Sequence, residues 1–277
     1  MSCGCGRSPD FCRGWHSLSE EEWQRELTEW QTRNEYDKPT ANKHTVEVTE
    51  VHHYTDKLFR FETTKPKGYL FKAGEFVMIG LGDKTKRAYS ITSSPTDNFL
   101  EFYSIKVPNG KLTSRLKNIQ PGDTLEVGSK STGTLLLENL TTGRNLWLLA
   151  TGTGIAPFIS LVRQRDIFWN FKEVNVTWTV RTARELDPYK DLLMRNRINF
   201  LATVTQDKGY KGFQGRIQEQ IEQKRVLPNM NPNEDKVMLC GSMAFNEDLK
   251  TILESNGFKE GNTNTPGDYV VEKAFVG

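Results

Sequence analysis

Four consecutive residues combine side chains that suit an aromatic, phosphorylated ligand. Arg87, Tyr89 and Ser90 supply a guanidinium, an aromatic ring and a small hydroxyl, with Ala88 between the first two. On a strand, alternation places Arg87 and Tyr89 on one face and Ser90 on the other. A guanidinium binds phosphate through parallel hydrogen bonds. The motif therefore fits a nucleotide site, although an ordinary edge strand would also carry it.

A glycine-rich turn supplies a second feature of nucleotide sites. Residues 152–157 read GTGIAP and follow an apolar run, residues 146–150, that predicts a buried strand. Small residues between a strand and a helix let a pyrophosphate approach backbone N–H groups and the positive end of the helix. The third glycine of the dinucleotide fingerprint does not occur in this segment, so the full fingerprint is absent. A tight strand-to-helix turn without a ligand explains this segment equally well.

A third candidate segment lies far along the chain. Cys240, Gly241 and Ser242 follow the apolar residues 237–239, which predict another buried strand. Open α/β sheets bind their ligands at the carboxyl ends of their strands. This position therefore makes the three residues candidates for a binding site, whereas a small buried cysteine is the structural alternative.

Two kinds of periodicity show which elements hold these segments. Between residues 44 and 128, apolar and polar residues alternate in short runs separated by turn sequences such as PGD at 121–123, which predicts a small antiparallel barrel of six strands. From residue 145, compact apolar runs alternate with helical stretches, which predicts a doubly wound parallel sheet. The predicted strands are 46–51, 58–62, 76–81, 89–92, 100–107, 124–127, 146–150, 174–180, 200–204, 237–240 and 269–276, and the predicted helices are 112–117, 155–166, 188–196, 214–224 and 244–255.

The fold class is thus a two-domain β plus α/β chain, with a ligand cleft expected between the domains. We place the N-terminal segment at residues 1–43, the barrel domain at 44–143 and the α/β domain at 144–277. A short helix begins in the N-terminal segment, where Ser19 and Glu22 have the spacing of a capping box. Trp23, Leu27 and Trp30 form a stripe that we expect to pack against the main body.

Composition excludes several classes of protein. The 277 residues carry 37 basic and 35 acidic side chains, a formal net charge of +2, which does not support nucleic-acid binding. We find no signal peptide and no membrane-spanning run, so we expect a cytoplasmic protein. We also expect a monomer.

The cysteines are unevenly distributed. Cys240 is isolated, whereas Cys3, Cys5 and Cys12 crowd the amino terminus together with His16. Three thiolates and an imidazole can form a closed tetrahedral zinc site, but the C-x-C spacing is tighter than is usual. Free thiols on a mobile terminus are the alternative.

The segments RAYS, VPNGKLTSRL, LATGTGIAPFIS, VMLCGS and VVEKAFVG occur in this order over residues 45–277. In sequence and spacing they resemble the ferredoxin–NADP reductase family, most closely its bacterial branch of ferredoxin/flavodoxin–NADP reductases. The resemblance implies an FAD-binding barrel and an NADP-binding α/β domain. It implies that Arg87 pairs with the FAD pyrophosphate, Tyr89 packs on the isoalloxazine and Ser90 bonds near flavin N5. The full set of FAD contacts would be Arg87, Ala88, Tyr89, Ser90, Tyr103, Ser104, Ile105, Lys111, Leu112, Thr113, Thr153, Ala274 and Phe275.

The same resemblance implies a site for the 2′-phosphate of NADP. Arg181 and Arg216 match two basic positions of that site, while Gln206 occupies a third. An amide binds phosphate less strongly than a guanidinium, so we expect NADP(H) over NAD(H) with weakened discrimination. The NADP contacts would be Thr153, Gly154, Arg181, Gln206, Arg216, Cys240, Gly241 and Ser242.

The implied reaction is hydride exchange between NADP(H) and FAD, coupled to one-electron steps with ferredoxin or flavodoxin. Ser90, Cys240 and Glu272 would be the catalytic residues, and Lys84 and Lys86 would steer an acidic carrier unless they belong to a merely solvated turn. Two other functions stay open. One is the reductase component of an oxygenase, which would be stand-alone because the sequence has no C-x₄-C-x₂-C cluster motif. The other is a non-catalytic regulatory subunit that binds FAD.

Overall fold

The computed structural model describes residues 17–26, 43–107, 110–195 and 197–273. They belong to two compact units, residues 1–41 and 42–277. In the first unit, residues 20–26 form helix α1. Its capping box is confirmed, because the Ser19 N–H donates to Glu22 Oε2 at 3.0 Å and the Glu22 N–H donates to Ser19 Oγ at 3.3 Å. Leu27 and Trp30 of the predicted stripe, like Cys3, Cys5, Cys12 and His16, lie outside the described residues.

The predicted barrel is confirmed. Its six strands pair in the order β4-β3-β6-β1-β2-β5, and an Ile91–Phe102 bridge joins the ends of the sheet. Alternate residues such as Val46, Val48, Phe59 and Phe61 point inward and fill a core of their own. The strands are β1 Lys43–His53, β2 Leu58–Thr64, β3 Phe76–Gly80, β4 Lys86–Ser90, β5 Phe99–Ile105 and β6 Thr124–Gly128, and the one-turn helix α2 spans Thr113–Leu116.

The second half forms the predicted parallel sheet, in the order β10-β9-β8-β7-β11-β12. The strands β7, β8 and β11 are almost wholly buried, as their apolar sequences require. The strands are β7 Asn145–Thr151, β8 Glu173–Val180, β9 Asn199–Val204, β10 Phe213–Gln214, β11 Asp235–Gly241 and β12 Tyr269–Lys273. The helices are α3 Ala156–Val162, α4 Ile167–Asn170, α5 Lys190–Leu193, α6 Ile217–Glu222 and α7 Met243–Ser255.

Three helices differ from their predicted bounds for physical reasons. The predicted helix 155–166 ends at Val162, where the next side chains leave the helix face: Arg163 binds the Thr92 carbonyl at 2.8 Å and Gln164 binds Ser94 Oγ at 2.7 Å. The helix predicted from residue 214 begins only after Gly215, whose φ of +96° interrupts helical backbone. Helix α5 is four residues long rather than the nine of 188–196.

The barrel and the sheet share hydrophobic core. Leu58 and Tyr103 from barrel strands belong to the same cluster of buried side chains as Leu148, Phe158 and Trp178 of the α/β half. All seven residues of α3 are buried, since the helix has the sheet on one side and the barrel on another. Within the described residues, no helix is both long enough and apolar enough to cross a bilayer.

Candidate functional site

The three segments singled out in the sequence meet in one groove between the two halves of the fold. Strand β4, the end of β5, the turn after β7 and the end of β11 form its walls. We call it the interdomain groove. It is lined by Arg87, Ala88, Tyr89, Ser90, Tyr103, Ser104, Ile105, Thr113, Thr153, Gly154, Ala156 and Cys240.

Among the described residues, strand β4 presents a fixed aromatic ring and a guanidinium without an ion-pair partner to this groove. The Tyr89 ring packs edge-on against Phe61 and Phe102, and the Ser104 hydroxyl donates to its oxygen at 3.5 Å. Burial raises the pKa of Tyr89, so the phenol stays neutral. Arg87 Nη1 donates to its neighbour's carbonyl at 2.9 Å, and among the described residues no carboxylate pairs with the guanidinium. Arg87 therefore remains available to an anion.

The glycine turn brings Cys240 to the opposite wall. A Cβ on Gly154 would lie 2.1 Å from the Cys240 carbonyl oxygen, so only glycine permits this approach of the turn to β11. Cys240 is 1% exposed. Burial, and then the charge of Glu272, raise the pKa of the Cys240 thiol well above its usual value. The thiol is therefore protonated at neutral pH and contributes shape rather than nucleophilicity.

Glu272 lies beside Cys240 but does not line the groove. The two residues are register partners on β11 and β12. The Glu272 carboxylate turns towards the loop after β6, where the Thr134 N–H donates to it at 3.2 Å. Burial raises the pKa of Glu272 to about 7, although the hydrogen bonds from Thr134 oppose that change.

The remaining FAD candidates do not all line the interdomain groove. Thr113 lines the groove, but Leu112 is buried in the barrel core and Lys111 is exposed. Ala274 and Phe275 lie outside the described residues.

A cleft of about 300 Å³ opens at the carboxyl edge of the parallel sheet. We call it the sheet-edge cleft. Its floor is formed by small residues that end successive strands or begin the next turn, and its far wall comes from the barrel. It is lined by Lys57, Leu58, Ile105, Thr151, Gly152, Thr153, Thr179, Val180, Arg181, Glu185, Thr205 and Ser242.

Two of the three residues predicted for the 2′-phosphate line this region. Arg181 lines the cleft, and Arg216 lines an adjoining cavity of about 240 Å³. The two cavities share Thr151, Thr179, Thr205 and Ser242. Gln206 adjoins Arg181, because its backbone N–H donates to the Arg181 carbonyl at 2.8 Å. Among the described residues, neither arginine has a carboxylate ion-pair partner.

Two further NADP candidates, Gly241 and Ser242, shape the start of α7. A Cβ on Gly241 would lie 2.4 Å from Thr151 Oγ1, so this glycine allows β11 to approach β7. Ser242 Oγ caps the helix by accepting the Phe245 N–H at 3.3 Å.

Sequence reasoning missed Lys57, Leu58 and Glu185. Thr151 and Thr205 could have been found, since small polar residues that follow buried strands lie at the ligand-binding edge. Lys57 belongs to a barrel turn, and nothing local in its sequence connects it with a cleft formed by the other half of the chain.

Comparison with known proteins agrees with these two cavities. A family model for the oxidoreductase FAD-binding domain matches residues 44–134, and one for the oxidoreductase NAD-binding domain matches residues 148–251. The fold and site thus define an oxidoreductase with an FAD-binding and an NAD-binding domain. A ferredoxin–NADP reductase A of Sorangium cellulosum is 44% identical over 83% of this chain and 89% of its own length. A flavodoxin/ferredoxin–NADP reductase of Rhodobacter capsulatus is 43% identical over 83% of this chain and 92% of its length.

A solved structure of a reductase with a similar name has a similar fold. The ferredoxin NADP⁺ reductase of Neisseria gonorrhoeae with bound FAD and NADP aligns with a TM-score of 0.79 and 28% identity, covering 85% of this chain and all of that one. The chain belongs to the ferredoxin–NADP reductase family.

Proposed function

We propose that this protein exchanges electrons between NADP(H) and a small one-electron carrier, ferredoxin or flavodoxin, with FAD as the intermediary. The observation that carries the proposal is the meeting of the two cavities: Thr153 and Ile105 line both the interdomain groove and the sheet-edge cleft. A ligand in one cavity can therefore contact a ligand in the other. Hydride transfer requires such contact, since the reacting atoms must come within about 3–3.5 Å.

The residues of the groove fit FAD. Tyr89 offers a fixed ring for a flat ring system, and the unpaired Arg87 offers a bidentate partner for a pyrophosphate. When bound, FAD supplies both hydride transfer and one-electron transfer. We assign residues 44–143 to the FAD domain and 144–277 to the NADP domain. Ala274 and Phe275 are proposed to complete the flavin site.

We assign the sheet-edge cleft to the nicotinamide nucleotide. The unpaired Arg181 and Arg216 lie on either side of a shared floor and suit a phosphate group. They favour NADP(H) over NAD(H), and the neutral Gln206 beside Arg181 limits that preference.

We propose distinct roles for the three catalytic candidates. Ser90 lines the groove from β4, and its hydroxyl would bond the flavin near N5. Cys240 would confine the nicotinamide as a small neutral wall. Glu272 would hold or release a proton near neutral pH, because burial raises its pKa to about 7.

We propose that the carrier docks where β4 begins. Lys84 and Lys86 have no ion pair among the described residues, whereas Asp83 in the same turn is neutralised by Arg115 at 2.8 Å. This edge is therefore locally positive and suits an acidic ferredoxin or flavodoxin. Reduction of each purified carrier with and without Lys84→Glu would identify the partner. Equal rates for both forms of the protein would reject this docking edge. A monomeric, cytoplasmic protein remains our expectation.

The direct test is the visible spectrum of the purified protein together with NADPH-driven reduction of a dye. We expect a flavin spectrum and turnover, which would also exclude a non-catalytic regulatory subunit. Arg87→Ala should weaken FAD retention, whereas Arg195→Ala, an exposed arginine outside both cavities, should not. A colourless protein that stays inert after addition of FAD would overturn the proposal.

The zinc site is a separate proposal for residues outside the described ranges. Within those ranges, no cluster of three or more histidine, cysteine, aspartate or glutamate side chains is arranged to hold a metal. We propose that Cys3, Cys5, Cys12 and His16 bind zinc. Metal analysis of the protein and of Cys12→Ser should show zinc only in the former, and equal content would exclude Cys12 as a ligand.

A further inference from the structure

A buried carboxylate lies where strand β5 faces the α/β half. Leu100 and Phe102 point into the barrel core, so Glu101 and Tyr103 occupy the outer face of the strand. Glu101 is 1% exposed. A buried carboxylate is stable as an ion only where several donors surround it.

Donors from both halves of the fold surround Glu101. Its Oε1 accepts hydrogen bonds from Thr92 Oγ1 at 2.7 Å, from Arg163 Nη1 at 3.1 Å and from the Tyr189 hydroxyl at 3.1 Å. Its Oε2 accepts from Arg60 Nη1 at 3.0 Å and from Arg163 Nη2 at 3.4 Å. Arg60 and Thr92 belong to the barrel, whereas Arg163 and Tyr189 belong to the α/β half.

Tyr189 connects this carboxylate to both cavities. Its ring stands edge-on to Tyr103, with centroids 5.3 Å apart, and Tyr103 lines the interdomain groove. The Tyr103 hydroxyl donates to the Glu185 carbonyl at 3.5 Å. The Glu185 carboxylate in turn accepts the Arg181 backbone N–H at 3.3 Å. The segment from Arg181 to Tyr189 is therefore attached at two points to the strand that lines the groove.

We propose that Tyr189 is a positioning residue that fixes Arg181 relative to the flavin-lining strand by anchoring its segment to Glu101. The inference rests on the proposed function and deepens it, because it names the group that holds the phosphate-binding arginine in register with the other half of the fold. The Tyr189 ring fills space in the core, while its hydroxyl supplies the anchor. Removal of the hydroxyl alone should loosen the segment without emptying the core.

The variant Tyr189→Phe removes the hydroxyl and keeps the ring, so it tests the anchoring role of the hydroxyl apart from the packing role of the ring. Tyr269→Phe is the matched control: Tyr269 is 0% exposed and donates to the Glu254 carboxylate at 2.7 Å, but it lies at the start of β12, opposite the carboxyl edge of the sheet. Calorimetry on the FAD-loaded proteins measures binding of 2′-phospho-AMP, and thermal melting measures stability. Steady-state kinetics compare NADPH with NADH.

Both variants should melt earlier, but only Tyr189→Phe should weaken 2′-phospho-AMP binding, by about three- to tenfold. kcat/KM with NADPH should fall by the same factor, while kcat/KM with NADH stays within about twofold of the parent protein. In an Arg181→Ala background the same substitution should have no further effect, because the hydroxyl acts through that arginine.

Equal 2′-phospho-AMP affinity in Tyr189→Phe and Tyr269→Phe would overturn the inference, as would additive losses in the Arg181→Ala background. Failure of the proposed function has a different signature. In that case the unmodified protein itself would not bind 2′-phospho-AMP or prefer NADPH, and the NADP assignment and this inference would both be rejected.

Discussion

Replacement of Glu272 by glutamine should remove a strong pH dependence of stability. Burial raises the pKa of this carboxyl to about 7 from an ordinary value of 4.5. Each unit of that pKa difference corresponds to about 1.4 kcal/mol of unfolding free energy, so the whole difference corresponds to about 3 kcal/mol. Glu272 is 8% exposed, and water therefore does little to reduce this cost.

The sign follows from which state loses the proton first. Below pH 4.5 the folded and unfolded states both hold the proton, and the buried carboxyl does not lower the free energy of unfolding. As the pH rises towards 7, the unfolded chain ionises while the folded protein keeps its proton, so the free energy of unfolding falls. Above pH 7 the full cost is present. Glutamine stays neutral throughout and should remain stable over this range.

Urea unfolding at a fixed, saturating FAD concentration measures the effect. Between pH 5 and pH 8 the parent protein should lose about 2.5 kcal/mol of unfolding free energy relative to Glu272→Gln. Glu222→Gln, an exposed substitution on α6, should parallel the parent protein. A gap between the parent protein and Glu272→Gln that does not change with pH would refute the assignment of this cost to Glu272.

Two further substitutions test the cavities. Gly154→Ala should destabilise the protein by about 2 kcal/mol or more and impair FAD retention, because its Cβ would lie 2.1 Å from the Cys240 carbonyl oxygen. Gly209→Ala, whose Cβ would meet nothing nearer than 3.4 Å, is the control, and equal melting temperatures for the two would contradict the expected clash. Gln206→Arg adds a guanidinium beside Arg181 and should raise the NADPH-to-NADH preference about tenfold in kcat/KM. An unchanged preference would show that position 206 does not face the 2′-phosphate.

Much of the fold could be predicted because its patterns are local. Alternation defined the barrel strands, and continuous apolar runs defined β7, β8 and β11, which are buried on both faces. Strand β10 was missed, since two exposed residues, Phe213 and Gln214, carry no pattern and pair only because β9 lies beside them. Helix α5 was predicted too long for a related reason: Tyr189 precedes it and is held by Glu101 from the barrel.

The residues of the site also divide into those marked by a local sequence pattern and those that depend on distant contacts. Arg87, Thr153 and Cys240 could be predicted, because each lies on a strand or just after one, within a recognisable local sequence. Lys57 and Glu101 could not, because their roles depend on how the barrel meets the sheet. The sequence separation between Glu101 and Arg163 gives no indication that the two are in contact.

The core shared by Leu58, Tyr103 and the α/β half has a consequence for how the protein melts. Two domains that shared no core would denature in two steps, the weaker one first. Here, loss of the barrel would expose apolar surface of its neighbour and remove the carboxylate partner of Arg163, so we expect the two halves to unfold together. Scanning calorimetry of residues 42–277 should therefore record one heat-absorption peak, with equal calorimetric and van't Hoff enthalpies.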